Sequence, residues 1–252
     1  MLVVTDVLAP IRPVLSRAVV ALDFDGTLAP IVARPQDARP ASGAVELLVR
    51  LAPRVQQLAV VTGRPALTAV ELGGLDRVPD LIVLGHYGMQ RWQRGALHSP
   101  PPAPGVAAVR DALAAMLPPG GTLEDKVHSV VLHTRGCGDP EAELARVEPG
   151  VRALAAAHGL EVVGGRAVWE LRPPGVDKGQ ALRALAADVP PAGVLVAGDD
   201  IGDLPLFAAA AGLGVPVVRI AVLGADVAPE VAAAADASVD GPSGLVALLG
   251  TL

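Results

Sequence analysis

The sequence predicts an α/β protein whose core is a doubly wound parallel sheet, interrupted by a smaller α+β segment. Apolar runs alternate with helical segments toward both ends of the chain, which is the rhythm of a parallel sheet covered by helices. Between the proline-rich segments 99–105 and 173–175 this rhythm gives way to a hairpin pattern. Hydrophobic residues make up 52% of the chain but aromatic residues only 2%, so Ala, Val and Leu must fill the core. That composition suits a Val- and Leu-rich parallel sheet.

The first part of the core, residues 1–98, is predicted to contain a repeating strand–helix unit. Apolar runs rich in β-branched residues indicate buried strands, and Ser42 is a plausible N-cap for the first helix. The predicted elements are a strand over Val19–Asp23, a helix over Ser42–Leu51, a strand over Gln57–Thr62, a helix over Pro65–Leu72 and a strand over Leu81–Gly85. Together they form the βαβαβ pattern of a doubly wound sheet.

Residues 99–172 are predicted to form an inserted α+β cap. The segment opens with a stiff polyproline run and contains a hairpin, which implies an antiparallel sheet. The predicted elements are a helix over Val106–Met116, a strand over His128–Thr134, a helix over Glu141–His158 and a hairpin of Leu160–Val163 with Ala167–Leu171. Gly164 and Gly165 are expected to form the turn of that hairpin.

The second part of the core, residues 173–252, is predicted to resume the strand–helix alternation after Pro173, Pro174 and Gly175. The predicted elements are a helix over Lys178–Ala187, a strand over Gly193–Ala197, a helix over Leu204–Ala211, a strand over Val215–Ile220, a helix near Ala228–Ala235 and a short helix from Ser243. No internal period of twenty to fifty residues is visible, which argues against a solenoid.

Composition and charge narrow the classes of partner. The formal net charge is -6, and no basic stripe is present, so nucleic acid is an unexpected partner. Cys137 is the single cysteine, which excludes internal disulfides and favours a reducing compartment. No apolar segment is long enough to span a bilayer, and no signal-peptide pattern is visible. We therefore expect a soluble, cytoplasmic protein, a monomer or weak dimer, without a membrane partner.

Five aspartates follow two of the predicted core strands. Asp23 and Asp25 end the first strand, and Asp199, Asp200 and Asp203 follow a later one. Open α/β sheets place their chemistry at the carboxyl ends of the strands, so these carboxylates should converge into a hard oxygen site suited to Mg²⁺. A single aspartate there would more simply be a helix N-cap or turn residue. Two clusters after two apolar strands favour a metal site.

Three further residues have the chemistry to hold a phosphate. Thr62 and Gly63 end another predicted strand and offer a hydroxyl and an accessible backbone, both donors to a phosphate oxygen. Lys178 begins a helix, at the end that favours negative charge, and a fixed anion in front of it would remove the conflict. An ordinary strand-ending turn and a solvated lysine are the simpler alternatives.

In this order the four segments, Asp-x-Asp-Gly-Thr, Thr-Gly, Lys and Gly-Asp-Asp-x-x-Asp, resemble the haloacid dehalogenase superfamily of phosphotransferases. The resemblance runs from about residue 18 to the end of the chain. It implies that Asp23 is the nucleophile, which forms an aspartyl-phosphate, and that Asp25 is the general acid and base. An acid at the second position also argues against a dehalogenase.

The same resemblance implies Mg²⁺ as the cofactor and a set of ligands around it. The implied metal-site residues are Asp23, Asp25 through its carbonyl, Asp199, Asp200 and Asp203. The phosphoryl oxygens would be held by Thr62, Gly63 and Lys178. These groups would offset the repulsion between an attacking carboxylate and a phosphate dianion.

Two cap segments resemble the trehalose-6-phosphate phosphatase family within that superfamily. Residues 123–135 contain Glu-Asp-Lys and His-Thr-Arg, and residues 165–173 contain Glu-x-Arg-Pro. The resemblance implies hydrolysis of trehalose 6-phosphate to trehalose and phosphate, with a small sugar phosphate as the partner. The implied substrate-binding residues are Arg64 in the core and Lys126, His133, Arg135 and Glu170 in the cap. His133 and Arg135 are expected to share one strand face, although charged residues there could also be only the wet face of a sheet.

Some positions depart from the family pattern. Gln90 stands where Glu is usual, Thr134 where Tyr is common and Gly202 where Thr is frequent. The departures leave open a phosphatase for another sugar phosphate, of the sucrose-phosphate or mannosyl-3-phosphoglycerate type. A catalytically inactive sugar-phosphate sensor is a further alternative, which the presence of both Asp23 and Asp25 disfavours.

Overall fold

The computed structural model describes residues 6–165, 167–224 and 228–252. Within them the chain forms two compact units. The larger unit consists of the chain up to Ser99 together with Asp177–Leu252, and the smaller one is the contiguous segment Pro100–Val176.

The strands and helices are numbered here in chain order. The strands are β1 (Ala18–Leu22), β2 (Gln57–Val61), β3 (Ile82–Gly85), β4 (Gln90–Gln93), β5 (Ala96–His98), β6 (Thr122–Asp125), β7 (Val130–His133), β8 (Glu161–Gly165), β9 (Val168–Arg172), β10 (Gly193–Gly198), β11 (Val217–Leu223) and β12 (Ala237–Asp240). The α-helices are α1 (Ala44–Leu51), α2 (Ala66–Gly73), α3 (Pro104–Ala115), α4 (Pro140–Ala157), α5 (Lys178–Asp188), α6 (Leu204–Ala211), α7 (Pro229–Ala234) and α8 (Gly241–Leu249).

The larger unit is built on one mostly parallel sheet. Its strand order is β12-β11-β10-β1-β2-β3-β4-β5, with parallel pairing from β12 to β3 and antiparallel pairing for the last two strands. The central strand β1 lies between β10 and β2, and all five of its residues are buried. The α/β class with a doubly wound core is therefore confirmed.

Alternation along β1 divides the apolar side chains between the two faces of the sheet. Val20 and Leu22 belong to one hydrophobic cluster, and Val19 and Ala21 to the other. A strand covered on both faces must be apolar throughout, which is why its sequence reads as an unbroken run. Because the sheet is covered on both sides, polar chemistry in this unit is confined to the loops at the strand ends.

One local expectation in the larger unit was wrong. Helix α1 begins at Ala44 and its N-cap is Gly43, without a side-chain cap, so Ser42 does not cap it. After β3 the chain turns back into β4 and β5, two strands for which the sequence carried no prediction. There Gln90 accepts a hydrogen bond from the Ala66 backbone N–H at 2.9 Å, which satisfies a donor in the first turn of α2.

The smaller unit is an antiparallel sheet of order β6-β7-β9-β8 with two helices, α3 and α4. Val130, Leu132 and Leu171 pack with the helices in one cluster. The hairpin turn differs from the expected one, because Gly164 and Gly165 lie inside β8, where they pair with Trp169 and Val168. Ala167, just before β9, lies in a turn, and Arg166 lies outside the described residues.

None of the described helices combines the length and the apolar character that crossing a bilayer requires.

Candidate active site

The site is built at the carboxyl ends of three neighbouring strands, β10, β1 and β2. Asp23 follows β1, and its backbone N–H donates to the Ala197 carbonyl at 3.0 Å, which continues the pairing with β10. This bond fixes the backbone from which the Asp23 side chain projects. Asp23 is only 4% exposed, so its charge requires partners inside the protein.

Lys178 is the positively charged partner of this carboxylate. It is the first residue of α5, a helix whose N-cap Asp177 accepts from the Gln180 backbone N–H. Its Nζ atom lies 2.8 Å from Asp23 Oδ1 and 2.7 Å from Asp203 Oδ1. Burial alone would lower the pKa of Lys178, but attraction to Asp203 and Asp23 outweighs it and raises that pKa well above its usual range. Lys178 therefore stays charged.

Asp203 organises the loop that follows β10. Its Oδ2 atom accepts from the backbone N–H groups of Asp199 at 3.0 Å and Asp200 at 3.2 Å. The residue is completely buried, and a Cβ on Gly198 would lie 2.2 Å from its carboxyl carbon. One oxygen of Asp203 thus contacts Lys178 and the other accepts from the loop backbone. These bonds hold the backbone of Asp199 and Asp200 in place.

Asp199 completes the acidic cluster and contacts the loop after β1. Its Oδ1 atom accepts from the Thr27 hydroxyl at 3.2 Å. Gly26 has a φ of +72°, and a Cβ built on it would lie 1.9 Å from Asp199 Oδ2. Glycine is therefore required at this position both by backbone conformation and by contact with the carboxylate.

The cluster has the geometry and the charge to hold a divalent cation. Carboxylate oxygens of Asp23, Asp199 and Asp203 all lie within 4.8 Å of one another. Burial, together with repulsion from Asp203 and Asp200, raises the pKa of Asp199 to about 7. Burial also raises the pKa of Asp23 well above its usual range in spite of the adjacent Lys178 ammonium, and repulsion from Asp203, Asp199 and Asp200 adds to the rise. A single ammonium leaves this cluster short of positive charge, and oxygen donors of this kind suit Mg²⁺.

Among the described residues, the carboxylates of Asp25 and Asp200 lie outside this group of three. The expectation for Asp25 concerns its backbone carbonyl, and that contact stays a prediction. Asp200 is exposed and accepts from the Asp203 backbone N–H, which makes it a loop residue beside the site.

Asp25 instead pairs with Arg64, the residue that follows Thr62 and Gly63. Arg64 donates from Nε to Asp25 Oδ2 at 2.6 Å and from a terminal nitrogen to Asp25 Oδ1 at 2.7 Å. The guanidinium also lies over the Phe24 ring, 5.7 Å from its centroid. The chain segments after β1 and β2 are therefore joined by a two-pronged ion pair.

Thr62 and Gly63 lie in the loop beside this pair. Thr62 is buried, and its hydroxyl accepts from the Arg64 backbone N–H at 3.1 Å. Its carbonyl accepts from the backbone N–H of Tyr87, a residue with a φ of +57°. A Cβ on Gly63 would lie 2.8 Å from the Tyr87 hydroxyl oxygen, so the tyrosine ring fills the space that a side chain would take.

In the smaller unit, a buried glutamate is the centre of a second polar group. Glu170 is 7% exposed and accepts from the Ser129 hydroxyl at 2.5 Å. The Lys126 ammonium lies 3.8 Å from the same oxygen, Oε1. Glu170 pairs with Val131, so both lie on the sheet face opposite the Val130 and Leu132 side chains that pack against the helices.

The other two predicted substrate-binding residues of the smaller unit, His133 and Arg135, do not lie in the same strand. His133 ends β7, and its Nε2 atom lies 3.0 Å from Glu124 Oε2. Arg135 lies beyond the strand in an exposed turn, so the expectation that it shares a strand face with His133 was wrong. Beyond the strand, the Thr134 hydroxyl donates to the Pro140 carbonyl, which ties this segment to the start of α4.

Three residues that position the cluster were not assigned a role from sequence: Gly26, Thr27 and Gly198. All three lie inside the Asp-x-Asp-Gly-Thr and Gly-Asp-Asp segments that mark the site. A glycine that adjoins an aspartate at a strand end was the available signal, because such a position requires close backbone approach.

Solved structures with the same fold include a trehalose-6-phosphate phosphatase domain and a haloacid dehalogenase-like hydrolase. The C-terminal domain of trehalose-6-phosphate phosphatase from C. albicans superposes with a TM-score of 0.76 at 20% identity, covering 97% of this chain and 94% of that one. A haloacid dehalogenase-like hydrolase from Bacteroides thetaiotaomicron gives a TM-score of 0.70 at 18% identity, covering 93% and 98%. These similarities show that the chain has the haloacid dehalogenase-like fold.

Sequence similarity identifies the family to which the chain belongs. The family model for trehalose-phosphatase matches residues 21–243, and the chain belongs to that family. Trehalose-phosphate phosphatase from Mycobacterium marinum is 34% identical over 218 residues, covering 80% of this chain and 54% of that protein. The chain therefore spans about half the length of this curated relative.

Proposed function

We propose that this protein is a Mg²⁺-dependent phosphatase that hydrolyses trehalose 6-phosphate to trehalose and phosphate through an aspartyl-phosphate on Asp23. The observation that carries the proposal is the contact between the buried Asp23 carboxylate and Lys178, next to Asp199 and Asp203. Family membership supports the reaction class, and the names of the relatives support the substrate.

Nucleophilic attack is the first step of the proposed reaction. A carboxylate oxygen of Asp23 attacks phosphorus, the bond from phosphorus to the sugar oxygen breaks, and that oxygen leaves with its electron pair. Asp25 gives the leaving oxygen a proton, which releases trehalose. Lys178 and the Thr62–Gly63 loop bind the phosphoryl oxygens. A divalent cation bound by the acidic cluster would supply further positive charge against the approach of the two anions.

Hydrolysis of the aspartyl-phosphate is the second step. The Asp25 carboxylate takes a proton from water as the water oxygen attacks phosphorus. The bond from phosphorus to Asp23 breaks, phosphate leaves, and both aspartates return to their starting protonation states. A single carboxyl group thus serves as acid and then as base, which needs a side chain that is not bound to the cation.

We assign recognition of the sugar to the smaller unit. The proposed ligands are Lys126, His133, Arg135 and Glu170, of which Lys126 and Glu170 already form a preorganised pair. Charged side chains are suitable partners for sugar hydroxyls because charge-assisted hydrogen bonds are the stronger ones. The proposal takes the enzyme to be cytoplasmic. It also takes the enzyme to be a monomer or weak dimer, and sedimentation of the purified protein would test that oligomeric state.

The test is phosphate release from trehalose 6-phosphate with Mg²⁺ and with a chelator. Glucose 6-phosphate, sucrose 6-phosphate and mannosyl-3-phosphoglycerate are measured beside it. We expect a strong preference for the trehalose ester that is lost on chelation. Mg²⁺-dependent release with another preference would contradict the substrate but keep the chemistry. No release from any ester would overturn the enzymatic proposal and favour a sugar-phosphate sensor.

A further inference from the structure

The pair between Arg64 and Asp25 engages both oxygens of the side chain that must transfer protons. The two contacts measure 2.6 and 2.7 Å, and each uses a different oxygen and a different nitrogen. The Arg64 side chain is 15% exposed and that of Asp25 32% exposed, so the pair is partly shielded from solvent. Its geometry is the two-pronged arrangement that a guanidinium forms with a carboxylate.

The backbone of Arg64 is fixed independently of this ion pair. Its N–H donates to the Thr62 hydroxyl, and its carbonyl accepts from the His86 backbone N–H at 2.9 Å. Asp25 is also anchored, because the following Gly26 N–H donates to the Ala29 carbonyl at 2.7 Å. Two rigid loops therefore present a guanidinium and a carboxylate to each other, and only the side chains need to move when the pair opens.

An intact pair is incompatible with the first step of the proposed reaction. A general acid must hold a proton on one oxygen and present it to the leaving group. While both Asp25 oxygens accept from Arg64, neither is available for that proton. In this arrangement the Asp25 carboxylate lies outside the group formed by Asp23, Asp199 and Asp203. The arrangement thus suits a resting state and must open before the sugar oxygen leaves.

A phosphorylated substrate provides the means of opening it. A phosphate dianion offers a guanidinium the same two-pronged arrangement as a carboxylate, with more charge. We propose that Arg64 holds Asp25 in a resting arrangement and that its guanidinium moves to the phosphorylated sugar when that substrate binds, which frees Asp25 to act as the acid. This inference rests on the proposed function and adds a coupling between substrate binding and proton transfer. The proton passes from Asp25 to the sugar oxygen as the phosphorus–oxygen bond breaks, and phosphorus is then bonded to Asp23.

The test uses two esters that differ in their need for an acid. The leaving oxygen of trehalose 6-phosphate requires a proton, whereas the nitrophenolate of p-nitrophenyl phosphate leaves without one. Transfer to Asp23 is measured as the single-turnover release of trehalose or nitrophenolate, so that the later hydrolysis does not contribute. The proteins are the wild type, Arg64→Gln, Asp25→Asn and the double variant, each saturated with Mg²⁺.

Arg64→Gln leaves Asp25 unpaired before substrate binds, so we expect the saturated rate of transfer to stay within about 3-fold of the wild type on both esters. The half-saturating concentration of each ester should rise about 10-fold, because a contact to the phosphate is lost. Asp25→Asn removes the carboxylate that competes with the phosphate for Arg64, so it should lower the half-saturating concentration by about 10-fold in the wild-type background and by less than about 3-fold in the Arg64→Gln background. Arg64→Lys, which keeps the charge but not the two-pronged geometry, should give a half-saturating concentration between those of the wild type and Arg64→Gln.

The matched control is Arg219→Gln. Arg219 forms a similar two-pronged pair with Asp236. Asp236 precedes β12, so this pair lies toward the amino-terminal ends of the parallel strands, away from the site at their carboxyl ends. Arg219→Gln should leave both rates and both half-saturating concentrations unchanged. A loss of the saturated rate in Arg64→Gln that is selective for trehalose 6-phosphate, or an equal effect of Asp25→Asn on the half-saturating concentration with and without Arg64, would overturn the inference and leave the proposed function in place. A wild type inactive on every sugar phosphate would overturn both.

Discussion

The ammonium of Lys178 lies 2.8 Å from the Oδ1 atom of Asp23, and both side chains are almost completely buried. The same nitrogen contacts Asp203 at 2.7 Å. One cation is thus shared between two carboxylates that belong to segments far apart in the chain. This contact makes the proposed nucleophile part of the protein interior, and several measurable properties depend on it.

Replacement of the nucleophile should abolish turnover without unfolding the protein. We expect Asp23→Asn to lower phosphate release at least ~1000-fold, because an amide cannot form the phosphoryl intermediate. The melting temperature should be unchanged or higher, since one of several acids competing for a single ammonium is removed. Phosphate release and thermal unfolding are measured on the same preparation. Turnover close to that of the wild type would contradict the assigned nucleophile.

Removal of the shared cation should destabilise the protein strongly. We expect Lys178→Met to lower the free energy of unfolding by about 3–5 kcal/mol, because it leaves buried carboxylates without compensation. The control is Arg183→Met on the same helix, whose ion pair with Asp177 is long at 4.0 Å and about half exposed. Its loss should stay below about 1 kcal/mol. Urea unfolding measures both, and similar losses would mean that the buried contact contributes little.

The raised pKa of Asp199 predicts opposite effects of pH and Mg²⁺ on stability. Because this pKa is about 7 in the folded protein, the folded state binds a proton that the unfolded state has released above about pH 4. The stability of the metal-free protein should therefore fall as the pH rises from 5 to 8. Mg²⁺ competes with that proton, so it should raise the melting temperature more at pH 8 than at pH 5.

Asp199→Asn is the control for that measurement. The variant should reduce both the fall of melting temperature with pH and the gain from Mg²⁺, with scanning fluorimetry in chelator or in added Mg²⁺ as the readout. An unaltered Mg²⁺ gain in Asp199→Asn would remove this residue from the metal site.

Alanine substitutions at Gly26 and Gly43 should distinguish the effect of backbone strain from the loss of the acidic metal site. Both have a positive φ, +72° and +79°, so alanine is strained at either. At Gly26 the new Cβ would lie 1.9 Å from Asp199 Oδ2, whereas at Gly43 its nearest neighbour is Val246 at 3.9 Å. Gly43→Ala should cost about 1–2 kcal/mol and keep activity. Gly26→Ala should also lose Mg²⁺-dependent turnover; retention of that turnover would show that the loop can move away.

Glu170 should contribute to recognition of the sugar and not to transfer of the phosphoryl group. We expect Glu170→Gln to lower kcat/KM for trehalose 6-phosphate by about 10–100-fold, because a buried charged partner of the sugar hydroxyls is lost. Turnover of p-nitrophenyl phosphate should change by less than about 3-fold. Glu148→Gln, in an exposed pair with Arg152 on α4, is the control and should change neither. Equal losses on both esters would make Glu170 a structural residue.

The central strands were predictable from the sequence because they are buried on both faces. The unbroken apolar run of β1 and the run of β10 each have a single interpretation once they are followed by a turn. The short strands β4, β5, β6 and β12 were missed, since three or four residues of mixed polarity carry no period. The prediction of a turn at Gly164–Gly165 was wrong, because strand pairing decides where a hairpin turns and a pair of glycines does not.

The convergence of the acidic residues was predictable, whereas their partners were not. Parallel strands end at one edge of the sheet, so the spacing of Asp23 and Asp199 after two strands was sufficient to bring them together. Side-chain direction is not encoded in spacing, which is why the ion pair between Arg64 and Asp25 could not be predicted. The same limit applies to Asp200, which the sequence does not distinguish from Asp199.

The position of β1 in the sheet has a consequence for how the protein is made. Its neighbours are β2, which follows shortly in the chain, and β10, which comes only after the smaller unit. The hydrogen bond between Thr27 and Asp199 joins residues 172 positions apart. During synthesis, one edge of the central strand stays open until the last third of the chain emerges, while the contiguous smaller unit can fold first. The acidic site is thus among the last features to form, and a truncated chain would lack it altogether.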